Sequence, residues 1–195
     1  MFDDYKLLNT QPPEQSTWEY YHPDTLEVIS LETSALEVMA DFHTKTPVTV
    51  FKKTNADEAL KIMIHEKVRA LLVINDHDHV LGIVNSQQIQ GTKRTQVAQQ
   101  EDIKPVDVTV DRLMTPISHM PMLNFNTLSN ALVGHIARIF YDQKVTHVLV
   151  YETNADETIC IRGIFSASFI GRKLGMEIRP NLYAESISDI QKSLD

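Results

Sequence analysis

The run Asp76-His77-Asp78-His79 places two imidazoles and two carboxylates side by side, the donor types that a zinc or other transition-metal ion takes. It lies between two apolar stretches, Leu71 to Ile74 and Val80 to Val84, and its residues are turn formers. Alternate residues on one short loop rarely close a full coordination shell. The run therefore reads as a solvated hairpin turn, and no metal is expected. Arg69 and His147 each stand just ahead of an apolar run, where a basic group can meet a phosphate or stay solvated. Lys93-Arg94 and Arg172-Lys173 read as exposed charges at helix ends. Cys160 is the single cysteine, so no intramolecular disulfide can form. With no triad partner near it, it reads as a small core or near-core strand residue. No Gly-x-Ser-x-Gly elbow, phosphate-cradling glycine loop, His-Glu-x-x-His or paired-cysteine motif occurs, so no catalytic residue is assigned and no enzyme is expected.

The 195 residues suffice for one large domain or two small ones sharing a core. Hydrophobic residues at 43% and charged residues at 23% are ordinary for a soluble protein. A formal charge of −8 argues against wrapping nucleic acid, which needs a basic face, but leaves room for a local anion pocket. The apolar runs are strand-sized and too short to span a membrane. Met1-Phe2-Asp3-Asp4-Tyr5-Lys6 lacks the basic start and apolar block of a secretory signal, so a cytoplasmic setting is expected.

The elements that would position these residues come twice. Lys67-Val68 through Gly82-Ile83 has the layout of Lys144-Val145 through Gly163-Ile164: two short strands and a polar hairpin, with the second hairpin loop expected to be slightly longer. Ahead of the first hairpin, Val48 to Phe51 reads as a strand. Ala59, Leu60, Met63 and Ile64 then form the stripe of a helix opened by an Asn55/Glu58 capping box. Ahead of the second, Met122 to Phe125 reads as a strand, and Leu128, Leu132, Ile136, Ile139 and Phe140 mark an amphipathic helix. Ser86 and Ser166 can cap the helices that follow the hairpins. Each unit has a lead-in: Ala35 to Phe42, a short helix with a Ser34/Glu37 capping box, and Asp111 to Met114. Thr-Asn-Ala-Asp-Glu recurs at Thr54 and Thr153 but out of phase, opening a helix in one place and filling a hairpin loop in the other.

Two copies of strand, helix, strand, strand, helix, each after a lead-in ending in Met, resemble a tandem pair of CBS domains, or Bateman module. The resemblance covers about two-thirds of the chain, from Val48-Thr49-Val50 through Ile89 and from Asp111-Arg112-Leu113-Met114-Thr115-Pro116 through Ile170. It implies a stand-alone CBS-pair protein of the bacterial kind. The fold expected is α/β (α+β), two β-α-β-β-α units packed sheet to sheet with pseudo-twofold symmetry. The division expected is an N-terminal strap over 1–33, a first domain over 34–98 and a linker over 99–107. A second domain over 108–175 and a tail helix over 176–195 complete it.

In that family the cleft between units holds an adenosine-containing ligand, read by a motif of Gly, two apolar residues, Ser or Thr, two residues, then Asp. The hydroxyl caps the helix and meets a phosphate, and the Asp accepts from the ribose hydroxyls. Here Gly82-Ile83-Val84-Asn85-Ser86-Gln87-Gln88 substitutes Asn85 and Gln88, while Gly163-Ile164-Phe165-Ser166-Ala167-Ser168-Phe169 keeps Ser166 and replaces the acid with Phe169. The resemblance implies a ligand set of Ser166 with His147 and Val150, a weaker site at Asn85 and Gln88, and Phe169, Arg69 and Val50 beside them. The expected ligands are AMP, ADP, ATP or S-adenosylmethionine, sensed by a non-catalytic regulatory homodimer that a protein partner reads. The alternative is an interaction scaffold with degenerate, ligand-free pockets.

Overall fold

The computed structural model describes residues 29–178, together with Lys6 and Thr10. The N-terminal strap and the tail helix lie almost wholly outside the described residues.

Strands β1 (Ala40–Asp41), β2 (Thr49–Phe51), β3 (Ala70–Ile74), β4 (Val80–Asn85), β5 (Thr115–Pro116), β6 (Met122–Asn124), β7 (His147–Thr153) and β8 (Ile159–Ser166) form two four-stranded sheets. Their orders are β2-β3-β4-β5 and β1-β8-β7-β6. Helices α1 (Ala56–His65), α2 (Ser86–Gln90) and α3 (Thr92–Gln100) cover the first sheet. Helices α5 (Val133–Gln143) and α6 (Ala167–Leu174) cover the second, and α4 (Val110–Leu113) belongs to the second lead-in.

Strand periodicity sorts the side chains into three layers. Leu71, Val73 and Val84 turn to the helices of the first unit, whereas Leu72 and Ile83 between them turn to the other sheet. In the second unit Val148, Val150 and Phe165 face the helices, and Leu149 and Ile164 face the first sheet. The middle layer, completed by Phe42, Ile117, Met120, Met122 and Ile161, is what joins the two sheets face to face.

The halves match at the helix ends and hairpin loops. Lys67 and Lys144 both end their helices in the left-handed region, at φ 55° and 54°. Asn75 N donates to His79 O at 3.0 Å, and Asn154 N donates to Thr158 O at 2.8 Å, so the two hairpin loops are equally long. The extra residues between Lys144 and Gly163 lengthen the strands, 7 and 8 residues against 5 and 6, and not the loop as expected.

Packing departs from chain order at the lead-ins, which cross over. The first lead-in supplies β1 to the second sheet, pairing Ala40 with Ile164 and Asp41 with Gly163. The second supplies β5 to the first sheet, pairing Thr115 with Ile83 and Pro116 with Gly82. Ala35 and Val38 are buried in the core of the second unit, and Val108, Val110 and Leu113 in that of the first. Neither unit has a complete edge or core without the other's lead-in. The first lead-in is also shorter than the expected helix: a 3-10 turn over Ala35–Val38 precedes β1, and Ser34 makes no side-chain cap.

Candidate functional site

Where the two units meet, two cavities lie back to back. The larger, about 650 Å³, is lined by Arg69, Asn85, Thr146, His147, Ser168 and Arg172 among others, with Met176, Glu177 and Ile178 at its rim. The smaller, about 450 Å³, is lined by Gln88, Lys93, Thr115, His119 and Lys144, again with Asn85 and His147. Asn85, Gln87, Thr146 and His147 border both cavities and form the wall between them.

Local chemistry sets this wall. Asn85 ends β4 and caps α2: its Oδ1 accepts from Gln88 N at 2.9 Å, and Gln88 Oε1 accepts from Asn85 N at 2.9 Å. This reciprocal box is formed by Asn85, one residue ahead of the expected cap Ser86. Gln88 Nε2 also donates to Thr115 Oγ1 at 2.8 Å, tying the motif of the first unit to the lead-in of the second. Across the wall, His147 opens β7 with its Nδ1 2.9 Å from Thr146 Oγ1. Burial pushes its imidazole down to about 4, so the ring is neutral at pH 7.

Of the residues expected from sequence, Arg69, Asn85 and His147 border the larger cavity and Gln88 the smaller. Ser166 stands at the N-cap position of α6 without capping it; its Oγ is 3.1 Å from that of Ser168, which lines the larger cavity. Val50 and Val150 border neither cavity: both are buried in the helix-facing cores, because the period of two that aims Leu149 inward aims Val150 away. Phe169 also borders neither cavity and is 38% exposed on α6.

Lys93 and Lys144 were not among the expected site residues. Lys93 Nζ donates to Leu113 O at 2.6 Å and to Met114 O at 3.4 Å, and desolvation lowers its pKa. It is half-buried at the smaller cavity and not a free helix-end charge. Arg94 beside it forks onto Asp57 at 2.6 and 2.7 Å. In the sequence Lys144 stood out only by its correspondence with Lys67, which says nothing of a cavity.

The hairpin histidines stay where turn chemistry puts them. Asn75 Oδ1 accepts from His77 N at 2.9 Å and His79 N at 3.0 Å, and residues 76–79 are all exposed. Among the described residues no group of three or more His, Cys, Asp or Glu converges to hold a metal. Cys160 is exposed, not near-core: it lies near the start of β8, opposite Glu152. Among the described residues no helix is long and apolar enough to cross a membrane.

With this geometry in view, a family model for the CBS domain matches residues 29–90. The first unit is therefore similar to a CBS domain. The match covers the first unit, and the second repeats its strand order and hairpin. Among solved structures, an uncharacterized conserved protein from Pyrococcus horikoshii matches with TM-score 0.50 and 22% identity, over 74% of this chain and 93% of that one. The CBS-pair protein CBSX2 from Arabidopsis thaliana matches with TM-score 0.47 and 19% identity, over 84% and 98%. The CBS domain pair of protein MJ0100, in complex with 5′-methylthioadenosine and S-adenosyl-L-methionine, matches with TM-score 0.48 and 20% identity, over 75% and 97%. No curated protein matches this chain in sequence.

Proposed function

We propose that this chain is a CBS pair, a non-catalytic regulatory module that holds an adenosine-containing ligand, of the AMP, ADP or ATP type, in the cleft between its units. The observation that carries the reading is the shared wall: Asn85 and Gln87 from one unit and Thr146 and His147 from the other border both cavities. A ligand seated there touches both units at once, so its binding free energy differs between their relative arrangements and shifts the population toward one of them. The cavity volumes, about 450 and 650 Å³, fall in the range of about 300–1,000 Å³ usual for small-molecule sites. Arg69, Asn85, Gln88 and His147 are the proposed contacts, with Ser166 acting through Ser168.

A second reading, a scaffold with ligand-free pockets, is favoured by one observation: the smaller cavity has no carboxylate to accept from a ribose. Thermal melts with AMP, ADP, ATP, S-adenosylmethionine and NAD separate the two. A ligand well above its dissociation constant raises the midpoint if it binds the native state. Flat melts across the panel, with a protein partner recovered by pull-down, favour the scaffold.

A further inference from the structure

The smaller cavity has a one-sided chemistry. Its lining includes Lys93 and Lys144 with His119 and His147, and no Asp or Glu. The Lys144 side chain makes no ion pair or hydrogen bond among the described residues, and Lys93 keeps its ammonium beside the cavity on the Leu113 carbonyl. Most of the side-chain oxygens that face this space are already engaged. Gln88 Oε1 takes the Asn85 amide, Asn85 Oδ1 takes the Gln88 amide, and Thr115 Oγ1 takes the Gln88 side-chain N–H. Thr146 Oγ1 is shared with His147 Nδ1. Gln87 and Thr92 are lining side chains whose oxygens have no partner among the described residues, and each offers a single oxygen.

A vicinal ribose diol is a pair of O–H donors and needs a pair of acceptors side by side, such as a carboxylate. A polyphosphate is all acceptor and carries negative charge, which ammonium donors match. We propose that the smaller cavity selects its ligand as a nucleoside polyphosphate through Lys93 and Lys144, and leaves the ribose diol unread. The inference rests on the nucleotide reading above and narrows it. A cationic ligand such as S-adenosylmethionine brings a sulfonium to two ammonium groups and is rejected. A 2′-deoxynucleotide binds as its ribo form does.

Isothermal titration of the full chain with ADP, 2′-deoxy-ADP, adenosine, S-adenosylmethionine and tripolyphosphate tests this, with Lys144→Gln and Lys144→Arg as variants. Lys144 is exposed, and melting points of both variants establish that they fold. Expected are Kd values for ADP and 2′-deoxy-ADP within about threefold of each other, and no binding of S-adenosylmethionine. Lys144→Gln should weaken both nucleotides by about tenfold, and Lys144→Arg should restore most of that. ADP binding with 2′-deoxy-ADP weaker by tenfold or more overturns the inference and leaves the nucleotide reading standing. S-adenosylmethionine binding in place of ADP does the same. Tripolyphosphate binding as tightly as ADP, with adenosine inert, upholds the anion site and overturns the adenosine reading. No binding by any of the five overturns both.

Discussion

Gly82 and Gly163 occupy the same place in the two sheets, opposite Val73 and Val150, each at the last regular pair before a register shift. Each also faces the edge strand lent by the other unit's lead-in. A Cβ on Gly163 would stand 2.7 Å from Ala40 O, and one on Gly82 would press into Thr115 O. Backbone at that distance can yield only by moving β1 or β5. Gly82→Ala and Gly163→Ala are therefore expected to destabilise by about 1–3 kcal/mol each, read by urea denaturation. An unchanged midpoint for both would mean that the crossed edge strands do not sit against these glycines.

Arg162 ties the first lead-in to the second unit. It forks onto Asp41 at 2.8 and 3.1 Å, reaches Glu152 at 2.7 Å and stacks on the Phe125 ring, 4.3 Å from its centroid. The pairing with Asp41 holds the guanidinium above and the carboxyl below their ordinary values. Arg162→Met leaves two half-buried carboxylates facing each other and should cost about 2 kcal/mol. With Asp41 lowered, its share of the stability is full above the unfolded carboxylate range and lost as pH falls through its folded value. Chemical denaturation from pH 7 to pH 3 should show the wild type losing more than Arg162→Met loses.

His147 contributes in a different window. Its folded pKa of about 4 lies below the unfolded value near 6.5, so the unfolded chain binds more protons between them. Stability is expected to fall as pH drops from about 6.5 to about 4, by up to about 3 kcal/mol. His147→Gln should flatten that slope. A bound phosphate beside the ring would raise its pKa, so nucleotide binding should take up protons near pH 5, visible as buffer-dependent heats.

Asn85 serves the fold and the site through different atoms. Asn85→Asp keeps an oxygen to cap α2, so the midpoint should stay within about 0.5 kcal/mol, whereas Asn85→Ala should lose about 1 kcal/mol. The aspartate, however, sets a negative charge in the wall between the cavities, and ADP affinity should fall by about tenfold. Calorimetry and melts on the same sample separate the two effects.

What was legible in the sequence was local. The alternation at Leu71, Leu72 and Val73 and at Val148, Leu149 and Val150 is a direct reading of a strand buried on both faces. The Lys67/Lys144 and Gly82/Gly163 correspondences marked the duplication because each reflects a backbone requirement that both units share. The crossing of the lead-ins was not legible. Ala40–Asp41 and Thr115–Pro116 are two-residue edges with no periodicity, and which sheet they join is a tertiary choice. Ile64, expected in the apolar stripe of α1, is 70% exposed because neighbours cover only the face of Ala56, Ala59 and Met63. The site was legible where a motif named it, at Asn85 and Gln88. It was not legible where residues far apart in the chain converge, at Lys93, His119 and Lys144.

Backbone NMR of the labelled chain during an ADP titration tests the central claim most directly. The account predicts that amides of Gln87, Gly91 and Thr92 in one unit and of Thr146 and His147 in the other shift together along one saturation curve. Shifts confined to one unit, or none at millimolar ADP, would contradict a ligand held between the two.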